Sequence, residues 1–560
     1  MIRKVYRSDA AQALDAEASA AWGLSPSALV EAAGRNCARR LTESYPAYFE
    51  QACISYSSRR FPLIVCAAGS GNNAADALVM LRALILEGFA SSESCRIVIN
   101  RLPGAGEDAN PRSQALRSLG KMGVETISWE RNERPQGEGC RKGAFDGAGI
   151  IIDGIAGTGL KSALRGAAER MVLAINEYRE GKENGSRPLV VSLDVPSGNF
   201  DGWDEGMSII KADICLALEP LKRCLYKPAA RVFAGTVIPV EGIFPPALIG
   251  LFEGNELVEW KAASQWIPPV KAAAHKYERG LVEIHAGSPG SAGAARIAAR
   301  GAQAAGAGLI RLITDDAIYP VLASDAGGIM VAPKSAAAEA LSPELPPLTV
   351  PPEAEKTTAP RAGRFKPDAM LLGPGWGRGP DRLRVLQEAL VREEQGMPLV
   401  LDADAVALAG DSVFHGRTIL TPHVQEFAAF TGLERRKILA DPFSLLTGTA
   451  KERNCVILFK SHVLIIAAAD GRLGILDGMK PVLASGGSGD LLAGFCAALA
   501  ARLARSGAGF DGYTCAAAAA ALLLETASLD RFSRRFTDPL ELADGASDIA
   551  GAAWLPYGPQ

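Results

Sequence analysis

Hydrophobic residues along this chain gather into short runs that stop abruptly at glycine, aspartate, asparagine or serine. In the first half the runs are 63–73 (LIVCAAGSGNN), 96–100 (RIVIN), 149–159 (GIIIDGIAGTG) and 189–198 (LVVSLDVPSG). Each is short, mostly aliphatic or β-branched, and bounded by turn residues, the pattern of a strand buried on both faces of a parallel sheet. Ala/Leu-rich segments of helical length, such as 74–87 and 169–180, lie between them. A Pro-rich, pattern-poor stretch around 244–269 interrupts the alternation. It restarts at 281–288 (LVEIHAGS), 309–316 (LIRLITDD), 369–377 (AMLLGPGWG), 398–405 (PLVLDADA), 418–423 (TILTPH) and 455–461 (CVILFKS), with Ala/Gly-rich helices between, as at 291–306. Alternating strands and helices predict layered α/β architecture. We read two three-layer αβα domains, 1–245 and 265–560, joined by a linker at 246–264. The Ala-, Pro- and Glu-rich stretch 335–366 reads as a surface insertion.

Composition narrows the class. At 48% hydrophobic and 22% charged residues the chain is of ordinary globular make-up, with apolar material for two cores. Basic and acidic residues number 59 and 62, so no basic excess points to nucleic acid or a membrane surface. No apolar stretch approaches the ~18 residues of a membrane span. The N-terminus lacks the apolar core of a secretory signal. Ten cysteines without CxxC spacing read as thiols in the reducing cytoplasm, and five histidines argue against a His-rich zinc site. An enzyme or ligand binder acting on small molecules is expected.

In open α/β sheets ligands bind beyond the carboxyl ends of the strands, where the polar clusters of this chain sit. The turn Gly69-Ser70-Gly71-Asn72-Asn73-Ala74-Ala75-Asp76 offers backbone N–H groups and a helix N-terminus to an anion; equally, it reads as a tight turn with asparagine capping the helix. Asp153 and Asp194 each end a strand, and an unpaired buried carboxylate is costly. With Asn73 and Ser197 they offer oxygens for a hard monovalent cation, or an acid/base pair. In the second half, Ala484-Ser485-Gly486-Gly487-Ser488-Gly489-Asp490 opens an apolar helix. Its glycines and Ser488 build an anion-binding start, and Asp490 stands where a general base meets a hydroxyl beside a transferring phosphate. Asp402 and Asp404 read equally as polar residues near magnesium and as caps.

The GSGNN turn with Asp76, the DGIAGTGL segment at 153–160 and the LDVPSG strand end, supported by 14–41 and KADICLALEPLK at 211–222, resemble the NAD(P)H-hydrate epimerase family. The resemblance implies a Rossmann-like domain that interconverts the R and S epimers of hydrated NADH or NADPH with a bound potassium ion. By motif position it implies Asn73, Asp153 and Ser197 as potassium ligands. Asn72, Asn73, Ala74, Ala75 and Asp76, and Gly157, Thr158, Gly159, Leu160, Lys161, Ser162 and Ala163, become substrate-binding segments. Asp194 becomes a substrate-contacting acid/base catalyst. Where the family turn reads GNNGGDG, this chain has Ala74, Ala75 and Ala77 for glycines, which is tolerated where no positive φ is needed.

The GGSGD run resembles the ribokinase-like superfamily. Together with HKYERG (275–280), GSPGSAGAARIAARGAQAAGAGLI (287–310), LLGPGWG (371–377), VLDADAVAL (400–408) and LTPHVQEFAAFTGL (420–433), it resembles ADP-dependent NAD(P)H-hydrate dehydratase. The implied reaction removes the misplaced water from the S epimer with ADP (or ATP) and Mg2+. Phosphorylation turns the hydroxyl into a good leaving group that the ring nitrogen can expel. Ala294, Gly375, His423 and Asp490 would contact the hydrate, with Asp490 the catalytic base. Lys460, Ser461, His462, Val463, Leu464 and Gly489 would contact the nucleotide. Here too glycines of the family pattern are replaced, by Tyr277, Gln425 and Ser461. The expectation is a cytoplasmic, homo-oligomeric, bifunctional repair enzyme without nucleic-acid or membrane partners. The alternative is a ribokinase-like small-molecule kinase fused to a regulatory nucleotide-binding domain.

Overall fold

The computed structural model describes residues 3–50, 61–104, 110–129, 143–183, 186–336, 366–507 and 509–556; the insertion read at 335–366 lies outside them from 337 to 365. The chain divides into two compact units, one formed by Lys4–Asn255 and one by Glu256–Gln560 with Met1–Arg3. Among the described residues no helix is long and apolar enough to cross a membrane.

Among the described residues nine strands belong to the first unit: β1 (Arg3–Tyr6), β2 (Leu63–Ala68), β3 (Cys95–Ile99), β4 (Glu125–Ser128), β5 (Ala148–Gly154), β6 (Leu189–Leu193), β7 (Ile214–Leu218), β8 (Leu221–Lys222) and β9 (Thr236–Val240). Seven form a parallel sheet in the order β4-β3-β2-β5-β6-β7-β9, while β1 and β8 make a separate short parallel pair. The chain winds outward from β2 to β4 and then returns to β5 on the other side of β2. That reversal opens a crevice beyond the carboxyl ends of β2 and β5. Ile64, Cys66, Ile150 and Ile152 pack under the helices Pro26–Ser44 and Asn72–Leu86; Val65, Ala67 and Ile151 face Met171, Val172 and Ile175 of the helix Gly166–Glu180. Burial on both faces makes three layers, as the unbroken apolar runs predict.

The crevice demands close backbone approach. A Cβ on Gly69 would lie 1.8 Å from the Ile155 carbonyl oxygen, so only glycine fits. The helix that follows is capped by Gly71, in extended backbone with no side-chain cap. The expected asparagine cap is therefore corrected: Asn72 and Asn73 are already the first helical residues, because Gly71 completes the turn.

The second unit holds β10 (Asn255–Leu257), β11 (Leu281–His285), β12 (Leu309–Thr314), β13 (Met330–Pro333), β14 (Ala369–Leu372), β15 (Leu399–Leu401), β16 (Thr418–Leu420), β17 (Val456–Phe459), β18 (Val463–Ala468) and β19 (Leu473–Asp477). Their order is β13-β12-β11-β14-β15-β16-β17-β18-β19-β10. The strands from β13 to β17 are parallel, β18 runs antiparallel to both β17 and β19, and β19 pairs parallel with β10. Winding reverses again between β11 and β14. The stretch 246–264 is more ordered than its pattern implies, holding short helices Pro246–Ile249 and Trp260–Ala263 around β10.

The Ala-rich segments exist to let two helices touch. Ala292–Ala304 packs on Ser488–Ser506 so closely that a Cβ on Gly494 would lie 2.2 Å from the Ala298 carbonyl oxygen, and one on Gly301 2.6 Å from that of Leu491. Glycine in a helix interior costs about 1 kcal/mol relative to alanine, so its presence at 494 marks a steric demand. Gly494→Val should therefore destabilise this unit by about 1–3 kcal/mol despite valine's better helix propensity, read as a lowered denaturation midpoint.

Candidate active sites

In the first unit a cavity of about 670 Å³ opens at the crevice between β2 and β5. Of the residues expected to meet substrate, Asn72, Asn73, Asp76, Gly157, Thr158, Gly159, Leu160 and Asp194 line it. Ala74 and Ala75 do not: as helical residues they turn into the core, 0% and 1% exposed. Lys161, Ser162 and Ala163 also fall outside the lining, and the first two are exposed.

Asp194 follows β6 with φ +66°, a left-handed conformation that costs a non-glycine residue free energy and recurs at functional sites. Its Oδ2 accepts hydrogen bonds from Thr158 N–H (3.2 Å) and Thr158 Oγ1 (3.1 Å), and Lys222 Nζ stands 2.5 Å from Oδ1. Lys222 is itself buried and also donates to the Leu218 carbonyl. Asp76 is 7% exposed, and burial, then the Asp194 carboxylate, push it well above the usual carboxylate range. Gln12 and Asp15 of the helix Ser8–Ala20, with Glu219 and Lys222, also line the cavity. None was marked from sequence. Lys222 carries the one usable signal, a lysine ending an apolar run, the same signal that Lys460 carries.

Asp153 and Ser197 lie behind the cavity, both fully buried. The Asp153 carboxylate accepts from Ser192 Oγ (2.7 Å), Ser197 N–H (2.9 Å), Ser197 Oγ (2.5 Å) and Ile155 N–H (3.3 Å). Burial raises its pKa against these donors. Asn73, by contrast, leaves both side-chain polar atoms buried without a partner. An orphaned amide oxygen fits a hard cation at Asn73, whereas the Asp153 oxygens would have to be shared with four donors.

In the second unit the parallel register sets Leu372 beside Leu401 and Leu401 beside Leu420, so the loops after β14, β15, β16 and β17 share one edge. Asp402, 1% exposed, accepts from Thr421 Oγ1 at 2.7 Å and from Lys460 Nζ at 2.5 Å, both at Oδ1. Lys460 also lies 3.7 Å from Glu426 Oε2. Burial opposes its charge, but Asp402 and Glu426 outweigh that and raise its pKa. His423 caps the helix Val424–Thr431: Nδ1 accepts from the N–H groups of Gln425 and Glu426, and Nε2 stands 3.2 Å from Glu426 Oε1. Gln425 is thus helical and needs no glycine.

Asp490 sits in the first turn of the helix Ser488–Ser506, whose N-cap Gly487 is left-handed at φ +98°. Burial, then the Asp402 carboxylate, push its carboxyl up to about 7 against the pull of Lys460, with Glu426 adding to the rise. A Cβ on Gly489 would lie 3.3 Å from Lys460 Nζ, which places the helix start against that lysine. Gly375, left-handed at φ +56°, approaches so near that its Cβ would lie 2.9 Å from that of Ala294. Val463 and Leu464 turn into the core of β18. Ser461 donates its hydroxyl to the Val463 carbonyl and accepts from Val463 N–H, and is not at positive φ. His462 lies in the same turn, between β17 and β18. Asp404 accepts from Gly377 N–H and Arg378 Nε, both at 2.9 Å. Asp402 and Asp404 are therefore committed to protein donors. Among the described residues no group of three His, Cys, Asp or Glu could hold a metal.

Residues 26–224 match the family described as YjeF-related protein N-terminus, and residues 282–545 the family described as NAD(P)H-hydrate dehydratase. A Gloeobacter violaceus protein, bifunctional NAD(P)H-hydrate repair enzyme Nnr, is 30% identical over 508 residues, covering 88% of each chain. Its namesake in Salinibacter ruber is 29% identical over 526 residues, covering 89% of this chain and 88% of that one. Among solved structures, an ADP/ATP-dependent NAD(P)H-hydrate dehydratase from Bacillus subtilis is 22% identical, covers 53% of this chain and 99% of its own, and has a TM-score of 0.44.

Two outcomes are expected. Ala74→Gly and Ala75→Gly should each destabilise the first unit by about 1 kcal/mol, read by urea denaturation, since both positions are helical. With the Asp490 carboxyl at about 7, its base form grows from about a tenth at pH 6 to about nine tenths at pH 8. Any turnover that uses Asp490 as a base should rise across that window in a pH–rate profile.

Proposed function

The chain belongs to the bifunctional NAD(P)H-hydrate repair enzymes, and from that premise we propose how its residues divide the work. It joins an NAD(P)H-hydrate epimerase to an NAD(P)H-hydrate dehydratase. Asp194 acts as the acid/base group of the epimerase, and the helix start at Asn72–Asn73 holds the anionic part of the dinucleotide. A potassium ion fits best at the unsatisfied Asn73 amide oxygen, with Asp153 and Ser197 behind it.

In the dehydratase, Asp490 takes the proton of the hydrate hydroxyl as a phosphoryl group from ADP or ATP is transferred to it. The phosphorylated oxygen then leaves as phosphate while the ring nitrogen donates its electron pair, and loss of the C5 proton from the resulting iminium restores the C5=C6 double bond. Gly487–Gly489 present backbone N–H groups to the phosphates, and Lys460 supplies charge beside them. Ala294, Gly375 and His423 bound the hydrate. Because Asp402 and Asp404 are already bonded to protein donors, Mg2+ would arrive with the nucleotide and be held chiefly by its phosphates, as suits that ion. Eight described cysteines are buried free thiols, which supports a reducing cytoplasmic setting.

The observation that carries the dehydratase assignment of residues is the placing of Asp490 at a glycine-built helix start that lies against Lys460, the partner of Asp402. Hydrated NADH of mixed configuration, given with ADP, ATP or neither, tests it. Reduced-nicotinamide absorbance should return only with nucleotide and Mg2+, and both epimers should be consumed. Asp490→Asn should abolish recovery yet leave epimer exchange intact. Recovery by that variant at the parent rate would remove Asp490 from the chemistry.

A further inference from the structure

The epimerase cavity holds more acid than an anionic dinucleotide would tolerate along its whole length. Asp15, Asp76, Asp194 and Glu219 line it, with Lys222 as the lining cation. A pyrophosphate repels carboxylates, so it belongs at the N–H groups of the Asn72 helix. The carboxylates must then face the uncharged end of the substrate, the hydrated nicotinamide ring. That ring is a cyclic hemiaminal, and hemiaminals invert as sugars do, by opening to an aldehyde and closing on the other face. Such opening requires one group to take a proton and a second to give one.

Two of these carboxyls are held differently. Asp194 has Lys222 Nζ at 2.5 Å and two Thr158 donors, so its carboxyl is fully partnered. Asp76 stands one helical turn beyond Asn73, 7% exposed, and among the described residues no ion pair neutralises it. We propose that Asp76 is a second catalytic residue of the epimerase, the proton donor to the ring nitrogen N1, and that Lys222 is the residue that positions Asp194 as its opposite number. This rests on reading the Lys4–Asn255 unit as the epimerase. Asp194 removes the C6 hydroxyl proton as the C6=O bond forms. The N1–C6 bond breaks with its electron pair going to N1, which takes the Asp76 proton. After rotation about C5–C6, N1 attacks the other face, its proton returns to Asp76, and the oxygen recovers the proton from Asp194. Both residues end as they began, and no water is consumed. Burial, then Asp194 and Asp15, raise the Asp76 pKa, and Lys222 only partly opposes them. Cys37 lies on the same side, its own thiol raised by burial and then by Asp76.

Steady-state inversion of hydrated NADH by the full chain, without nucleotide, tests the pair. Asp76→Asn should lower kcat about 10²–10⁴-fold, the usual weight of a general acid, with KM within about threefold. Lys222→Met should lower kcat comparably, and Lys222→Arg should restore most of it, because the ion pair is rebuilt. Asp76→Asn at the parent kcat would overturn the proposal. A parent enzyme that binds hydrate but does not invert it would overturn the epimerase reading instead. Should the variants not fold, inversion by the parent in H2(18)O decides: ring opening gives well under one labelled oxygen per inversion, and one label per inversion would overturn it.

Discussion

A carboxylate buried at the end of a strand needs a cation, and both sites of this chain are organised around that need. In the first unit Asp194, following β6, is met by Lys222 from β8; in the second, Asp402, following β15, is met by Lys460 beyond β17. Both pairs stand at 2.5 Å, and in each the lysine is largely buried. Removing one partner of such a pair leaves an uncompensated buried charge, a loss of about 3–5 kcal/mol. Each lysine is committed to the carboxylate it touches, and a second acid nearby, Asp76 or Asp490, is left with a raised pKa. One device thus yields, twice, a lysine-paired carboxyl beside an acid whose pKa is raised. Environments that push neighbouring acids apart are how one site can run acid and base chemistry near neutral pH.

Topology delivers these partners to one place. Parallel strands align their carboxyl ends, and reversal of winding between β2 and β5, and again between β11 and β14, leaves a crevice at each reversal. Glycine governs how tightly the crevice closes. Gly69 lies against the Ile155 carbonyl, and Gly373, left-handed at φ +125°, would place a Cβ 1.8 Å from the Asp402 carbonyl oxygen. The backbone carrying Asp402 is therefore held by direct contact with the β14 loop.

Much of this was legible in the sequence, because a strand buried on both faces must be an unbroken apolar run and a parallel strand must end in a loop. The runs of both units, with Asp153, Asp194 and Lys460 at their ends, follow from that, and Asp490 follows from the glycine-rich start of an apolar helix. The β18–β19 hairpin was missed, although Asp470-Gly471 between two apolar runs is a turn signal; an expectation of repeated strand–helix alternation has no place for it. Lys222, Asp15 and Glu426 were missed for another reason. They matter only through partners remote in sequence, and a lysine or glutamate at a helix or strand end is locally unremarked until the fold names its neighbour. The start of the Asn72 helix was misplaced because Gly71 can end a turn without a side-chain cap.

The alanines at 74 and 75 have a consequence for ligand capture. Alanine in place of glycine, where the native backbone is helical, restricts the unfolded chain and favours the folded turn by about 0.4–1 kcal/mol per site. The first turn of the helix is accordingly set before any ligand arrives. An anion that docks there finds its N–H donors already aligned, and little configurational freedom is surrendered on contact. A GNNGGDG turn, with more backbone states to lose, would owe more of its order to the ligand. The alanines replace a segment that a ligand would have to shape with a helical turn already formed.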